Sequence, residues 1–137
     1  MTPPVPRTTG RHTIGKTFTF EAGHRLPSLG EGHKCSRQHG HSYTVELILT
    51  ADALVPPGFV TDFGDLEPFA RYIKDTLDHR NLNEVEELGF EPTSENLAQH
   101  LAEWAEKHLQ PHMPGRVTAV RVSETPKTWA RYDLESA

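Results

Sequence analysis

Two stretches in which apolar and polar residues alternate dominate the first half of the chain. In residues 18–24, apolar side chains and a histidine fall on one face, and polar residues or glycine on the other. Residues 39–49 repeat this alternation after a polar loop at residues 25–38. Successive side chains of a strand point to opposite faces, so the pattern predicts two half-buried strands. They fit an antiparallel pair whose connection is longer than a tight hairpin turn.

Helical spacing replaces alternation in the middle of the chain. Apolar residues recur every three or four positions over residues 65–77, which predicts one helix. A second helix is predicted to begin after Pro92, with Thr93 or Ser94 as its N-cap. It is expected to end at Pro111, because proline cannot continue a helix.

The last part of the chain alternates again and completes the predicted fold. Strands are expected at residues 118–124 and 128–134, on either side of a turn at 125–127. The element order is β-β-α-α-β-β, which predicts an α+β fold with two helices on one face of an antiparallel sheet. Proline-rich residues 1–13 are interpreted as a flexible tail, and residues 14–137 as a single domain.

Composition and charge exclude several classes of protein. The formal charge of -5 over 137 residues gives no basic surface for nucleic acid. No apolar run approaches the roughly 18 residues that a membrane-spanning helix needs, and the first residues do not resemble a secretory signal. The single cysteine agrees with a reducing compartment. We therefore expect a cytoplasmic protein without nucleic-acid or membrane partners.

Histidines at one end of the predicted hairpin suggest a metal site. His39 and His41 lie two positions apart on one strand face, about 6.6 Å along the backbone. His24 ends the same face of the preceding strand. Three neutral imidazoles leave a fourth coordination position open, which is typical of catalytic zinc. The alternative is a set of hydrogen-bonded core histidines, each needing its own partner. Other histidines are interpreted as surface residues: His12, His100, His108 and His112.

The loop between the two histidine-bearing strands contains the only cysteine. Cys35 lies four residues before His39, between Lys34 and Arg37. Nearby cations lower the pKa of a thiol, which favours a reactive thiolate. The residues alone allow two roles, a thiol that faces a substrate or a fourth zinc ligand that closes the site. Together with Arg25, the two cations form a patch that suits a phosphate group, or simply a solvated loop.

Two acidic positions are further candidates. Asp78 and His79 follow the first predicted helix, and a carboxylate beside an imidazole can orient a proton carrier. The simpler interpretation is an exposed charge and a histidine favoured at a helix C-terminus. Glu124 continues the inward alternation of its strand, where an unpaired carboxylate is costly. It could accept two hydrogen bonds from a flat N–H/NH2 edge, such as that of a pterin or guanine, or pair with Arg121 or Arg131.

Six motifs in a fixed order resemble one known family. They are FTFEAGHRLP, EGHKCSRQHGHSY, the pair Asp62-Phe63, LDHRNLN, PTSEN and SETP. Together, over residues 18–132, they resemble the 6-pyruvoyltetrahydropterin synthase superfamily. The chain is most similar to the bacterial queuosine-pathway branch, the 6-carboxytetrahydropterin synthases. Only residues 36–38 separate Cys35 from the His-Gly-His core, whereas the animal-type enzymes have a longer insert there.

The resemblance assigns expected roles to individual residues. It implies a zinc ion held by three ligands: His24, His39 and His41. Cys35 matches the proton-abstracting residue of the family, which argues against its being a fourth ligand. His79 matches the proton-relay partner, with Asp78 beside it. Glu124 matches the residue that anchors the pterin ring.

The resemblance also implies an assembly and a reaction. The family has the tunnelling (T) fold, in which trimers close a barrel and two barrels stack as a hexamer with sites at subunit interfaces. The expected activity is that of a carbon–carbon lyase, which converts 7,8-dihydroneopterin triphosphate to 6-carboxytetrahydropterin, acetaldehyde and triphosphate. The product would feed queuosine or another deazapurine. The ring's own electrons balance this reaction, and the chain has no GxGxxG fingerprint for a nicotinamide or flavin cofactor. The alternatives are a triphosphate lyase that forms 6-pyruvoyltetrahydropterin and a non-catalytic protein that binds zinc and pterin.

Overall fold

The computed structural model describes residues 3–6 and 10–135, and in it a five-stranded sheet carries two helices. The strands are β1 (His12–His24), β2 (His39–Ala51), β3 (Arg80–Asn81), β4 (Arg116–Thr125) and β5 (Thr128–Asp133). The helices are α1 (Glu67–Thr76) and α2 (Ser94–His108). The order of strands across the sheet is β3-β1-β2-β4-β5. The predicted α+β fold is confirmed, with β3 as an additional short strand.

The antiparallel ladder of β1 and β2 is the longest pairing in the sheet. It runs without interruption from the pair His12 and Ala51 to the pair His24 and His39. Phe20 and Tyr43 are opposite each other, and their rings stack with centroids 4.6 Å apart. The alternation predicted for both strands is therefore correct, and its register places the histidine-bearing ends side by side.

Strand β1 begins earlier than the alternation predicted. Its first residues, His12 and Thr13, fall inside the predicted tail, of which residues 1–2 and 7–9 lie outside the described residues. Lys16 interrupts the apolar side of the pattern, and its Nζ lies 5.6 Å from the centre of the Phe18 ring. Because this charged residue breaks the apolar alternation, the pattern did not predict the first half of β1.

A bulge in β4 corrects one predicted position. The alternation predicted for residues 118–124 puts Thr118 on the same face as Val120. In the sheet, Ile48 pairs with Ala119 and Leu49 with Val117, so Thr118 is an extra residue. An extra residue shifts the alternation by one. Val117 consequently joins the core instead of Thr118, whose hydroxyl donates to the carbonyl oxygen of Ile48.

Both helices pack on the same face of the sheet and share one apolar core. Phe69 of α1 meets Phe18 of β1 edge-on, with ring centroids 5.0 Å apart. Leu97 and Leu101 of α2 are completely buried in this cluster. Thr93 is the N-cap of α2, because its Oγ1 accepts a hydrogen bond from the Asn96 amide. None of the described helices is long and apolar enough to cross a membrane.

Candidate metal centre

The end of the β1–β2 ladder brings the three predicted ligands together. His24 lies directly opposite His39, and His41 follows two residues later on the same face. Ring centroids are 4.6 Å apart for His24 and His39, 4.9 Å for His39 and His41, and 5.1 Å for His24 and His41. One ligand atom from each ring lies within 4.8 Å of the others, a spacing that one metal ion can bridge.

Backbone carbonyls orient two of the rings. His24 Nδ1 lies 2.7 Å from the carbonyl oxygen of Pro92, and His39 Nδ1 lies 2.7 Å from that of Arg37. A carbonyl can only accept, so Nδ1 carries the hydrogen in both rings, and the neutral form of each ring has its lone pair on Nε2. His24 Nε2 is buried and has no hydrogen-bond partner in the described chain. Carbonyl-oriented imidazoles with Nε2 lone pairs are a common arrangement of metal ligands.

Glu124 lies against the same ligand atoms. Its Oε2 is 3.0 Å from His41 Nε2 and 3.5 Å from His24 Nε2. Burial lowers the pKa of His41; the charge of Glu124 opposes this shift, and His24 and His39 reinforce it. A lowered pKa keeps the imidazole neutral, which is the form that binds metal.

Three imidazole nitrogens without a thiolate suit zinc and other imidazole-binding transition metals. In the part of the chain that the structure describes, the group of potential ligand atoms within 4.8 Å consists of the three histidines. Cys35 does not belong to that group. The donor set and the buried His24 Nε2 therefore fit a metal ion with an open coordination position.

Cys35 lies in a one-turn 3-10 helix, Lys34–Ser36, within the loop between β1 and β2. Its thiol is half-buried, and its amide donates to His33 Nδ1 at 3.0 Å. Its carbonyl oxygen accepts from the Leu26 amide at 2.8 Å. No role was predicted for His33, which the structure places as the cap of this turn. The cations Arg25, Lys34 and Arg37 are all exposed in the same loop.

Asp78 and His79 belong to a segment that runs beside β1. The Glu21 amide donates to Asp78 Oδ1 at 2.9 Å, and the His79 amide donates to the Glu21 carbonyl oxygen at 2.6 Å. His79 has a φ of 58°, and its Nε2 lies 3.7 Å from Asp78 Oδ2. Within the described residues, no hydrogen bond joins Cys35 to either of them. His79 lines a cavity of about 500 Å³ together with His41.

A second cavity, of about 670 Å³, contains Glu124 and His41. Four residues with hydroxyl side chains also line this cavity: Ser42, Thr44, Ser123 and Thr125. The alternative partners suggested for Glu124 are engaged elsewhere, because Arg121 pairs with Glu46 and Arg131 pairs with Asp133. The carboxylate is therefore available to a polar ligand that enters beside the histidines.

The residues that hold the site were harder to find from the sequence than the ligands. The Asn83 side chain accepts from the Arg25 amide at 2.8 Å and donates to the Arg25 carbonyl oxygen at 3.0 Å. Pro92 belongs to the PTSEN motif and Asn83 to the LDHRNLN motif. Both motifs contributed to the family resemblance, but neither residue was assigned a role from the sequence. The fold and the site define an α+β protein with a three-histidine centre, whose His41 lines two polar cavities.

Comparison with known proteins then identifies the family. A family model described as 6-pyruvoyl tetrahydropterin synthase matches residues 13–135. The 6-carboxy-5,6,7,8-tetrahydropterin synthase of Synechocystis sp. is 39% identical over 125 residues, covering 87% of this chain and 91% of that protein. The 6-pyruvoyl tetrahydrobiopterin synthase of Drosophila melanogaster is 35% identical over 127 residues, covering 83% and 74%. The structure of Caenorhabditis elegans 6-pyruvoyl tetrahydropterin synthase has a TM-score of 0.80 at 29% identity, covering 92% and 97%.

This chain belongs to the 6-pyruvoyl tetrahydropterin synthase family. The resemblance seen in the six motifs is confirmed, as are the expected fold and the expectation of an enzyme that makes a pterin.

Proposed function

We propose that this chain is a zinc-dependent 6-carboxytetrahydropterin synthase, which acts on 7,8-dihydroneopterin triphosphate and releases acetaldehyde and triphosphate. The observation that carries this proposal is the convergence of three imidazoles, one with a buried Nε2 that has no hydrogen-bond partner among the described residues. The name of the Synechocystis relative, at 39% identity, supports the carboxylated product.

His24, His39 and His41 would hold the zinc. When bound, zinc supplies Lewis acidity toward the hydroxyl groups of the substrate side chain. The carbonyls of Pro92 and Arg37 fix two of the rings before any metal arrives, because each accepts the Nδ1 hydrogen. This pre-organisation lowers the cost of ordering the ligands.

Cys35 is proposed to remove a proton from the substrate side chain, and His79, oriented by Asp78, to return or remove others. Lys34 and Arg37 beside the cysteine favour its thiolate form. No hydrogen bond joins Cys35 to Asp78 or His79 in the described part of one subunit. We therefore propose that Cys35 of one subunit meets Asp78 and His79 of another subunit at their interface.

Glu124 is proposed to accept hydrogen bonds from the flat edge of the pterin ring inside the cavity of about 670 Å³. The exposed cations Arg25, Lys34 and Arg37 are proposed to bind the triphosphate. Cleavage between the first two side-chain carbons then releases the two-carbon fragment. The products contain one more side-chain oxygen than the substrate supplies, so one water is consumed in forming the carboxylate.

The sheet supports the proposed hexamer of two stacked trimeric barrels. In the described residues, positions 12–20 of β1 pair with another strand on one side only, and β5 pairs only with β4. Closing a barrel from several sheets would satisfy both edges. The proposal also includes a cytoplasmic location, consistent with one reduced cysteine, and a product used to make queuosine or another deazapurine.

A second candidate is formation of 6-pyruvoyltetrahydropterin with release of triphosphate alone. The Drosophila relative, named for a 6-pyruvoyl product, is 35% identical and favours it. The short spacing between Cys35 and His39 favours the carboxylated product, since the animal-type enzymes have an insert there.

Mass spectrometry of the products formed from 7,8-dihydroneopterin triphosphate tests the proposal. We expect 6-carboxytetrahydropterin and acetaldehyde, loss of both when a chelator is present, and recovery when zinc is restored. A pyruvoyl product without acetaldehyde would establish the second candidate. Binding of zinc and pterin without turnover would instead indicate a non-catalytic protein.

A further inference from the structure

The loop that carries Cys35 is held by hydrogen bonds rather than by apolar packing. Most of its residues are exposed, and no residue of either of its 3-10 turns, Pro27–Leu29 and Lys34–Ser36, is buried. The peptide groups of Cys35 are fixed at both ends, since its amide donates to His33 Nδ1 at 3.0 Å and its carbonyl oxygen accepts from Leu26. The position of the thiol therefore depends on these few polar contacts.

His33 contributes a side-chain contact within the turn itself. It occupies the N-cap position, with extended φ and ψ of -92° and 131°. Such positions are usually held by Ser, Thr, Asp or Asn, whose side-chain oxygen accepts an orphan backbone amide. Here an imidazole has that role, so Nδ1 must lack a hydrogen and Nε2 must carry one.

The turn has few other bonds to keep it closed. The Ser36 amide donates to the His33 carbonyl oxygen at 3.0 Å, and the Arg37 amide donates to that of Lys34 at 3.3 Å. The Ser36 hydroxyl also donates to the His33 carbonyl oxygen at 2.7 Å. Of these contacts, the imidazole is the one that holds the Cys35 amide directly.

The rest of the loop is anchored independently of His33. Asn83 binds both the amide and the carbonyl oxygen of Arg25, where the loop leaves β1. Glu91 accepts from the amide and the hydroxyl of Ser28, at 2.9 Å and 2.7 Å. Removal of the His33 side chain should therefore loosen the cysteine turn without releasing the whole loop.

We propose that His33 is a positioning residue, whose imidazole caps the Cys35 turn and so aims the thiol at the substrate beside the three-histidine centre. The inference rests on the proposed function, in which Cys35 moves a proton. The role requires a hydrogen-bond acceptor at this position and no chemistry from the imidazole itself. Asparagine, which is a good N-cap, should therefore replace histidine here.

The test compares His33→Ala and His33→Asn with the wild-type enzyme, and His112→Ala serves as a matched control on an exposed histidine far along the chain. We expect H33A to lower kcat about fivefold to tenfold with KM within about twofold, and to raise amide exchange at Cys35 about fivefold. We expect H33N to restore both quantities to within about twofold of wild type. Zinc content should be the same in all four proteins.

Two results would overturn the inference. If H33N were as slow as H33A, the imidazole would act in the chemistry or in binding. If H33A matched the wild type in kcat and in exchange, the cap would be unimportant. A wild-type protein without turnover would refute the proposed function separately. The rate at which iodoacetamide alkylates the single cysteine would then decide the inference. If the cap positions the thiol, this rate should change in H33A and equal that of the wild type in H33N.

Discussion

Two clusters in this molecule contain partly buried histidines, and they are built in opposite ways. At the end of the β1–β2 ladder, three imidazoles converge, and His24 Nε2 has no hydrogen-bond partner in the described residues. Beside the helices, His100 Nε2 lies 2.7 Å from the Tyr72 hydroxyl, which donates to Glu87 Oε2 at 2.7 Å. Tyrosine has one hydroxyl hydrogen, so His100 Nε2 must donate to the tyrosine oxygen.

The contrast shows what distinguishes the candidate metal centre from a structural cluster. Burial lowers the pKa of both His41 and His100, so a shifted pKa alone does not separate them. The difference lies in the ring nitrogens. Three of them converge in one cluster, where His24 Nε2 has no hydrogen-bond partner in the described residues, whereas His100 Nε2 is hydrogen-bonded to Tyr72 in the other. His100, interpreted from the sequence as a surface residue, is in fact half-buried against Phe90.

The largest expected effect comes from removing a converging ligand. His41→Ala should weaken zinc binding by more than about 100-fold and abolish turnover, because two imidazoles cannot hold the ion as three do. Zinc content by atomic spectroscopy and product formation measure both effects. His100→Ala is the matched change in the other cluster and should retain zinc. Equal loss of zinc from both variants would contradict the distinction.

The next largest effect tests whether the Cys35 thiol acts in catalysis and not in metal binding. Cys35→Ala should lower kcat by about 10²–10⁴-fold, the range for loss of an acid–base group, while zinc remains bound. Cys35 lies outside the group of three converging ligand atoms, which is why the metal should be unaffected. Activity and zinc content are measured on the same sample. Loss of zinc in this variant would show that Cys35 is a ligand after all.

Loss of a tyrosine hydroxyl should lower the stability more in the His100 cluster than beside the three converging histidines. Tyr72→Phe removes contacts to both Glu87 and His100 and should lower the free energy of unfolding by about 1–2 kcal/mol. Tyr43→Phe should cost less, because the Tyr43 hydroxyl lies 3.3 Å from His24 Nδ1, which already binds Pro92 at 2.7 Å. Urea unfolding compares the two variants. A larger loss in Y43F would refute this ranking.

The smallest expected effect is a pH dependence that originates in His100. Burial lowers its pKa, against the opposing charges of Glu87 and Glu103. Below about pH 6.5 the unfolded chain therefore takes up a proton that the folded chain resists, and stability falls as the pH drops toward the folded pKa. His100→Gln should remove the part of the pH dependence of the free energy of unfolding that His100 contributes. Urea unfolding between pH 7.5 and pH 5 measures this dependence. Identical slopes for the two proteins would contradict the assignment.

Much of the fold followed from local periodicity. The two-residue period of β1 and β2 predicted which face is buried, and a hairpin then required His24 and His39 to lie at the same end. Helix α2 was predicted from its apolar stripe and from a cap at Thr93 or Ser94, and Thr93 is the cap in the structure. Each of these features depends on residues that are close together in the sequence.

The features that were missed depend on distant partners. The two residues of β3 become a strand only by pairing with Ala22 and Gly23 of β1. The bulge at Thr118 depends on its register with Ile48. The carbonyl that orients His24 belongs to Pro92, and no local pattern connects the two positions. The convergence of the three histidines could therefore be predicted, but the groups that orient their rings could not.

The open edges of the sheet have a consequence for handling this protein. Within the described residues, a single chain presents amides and carbonyls without a strand partner on one side of residues 12–20 of β1, and again along the outer side of β5. Such edges are templates for indiscriminate strand addition, so dilute or freshly synthesised chains should be the form most prone to precipitate. If the proposed hexamer forms, conditions that speed the docking of its subunits should improve the yield of soluble material.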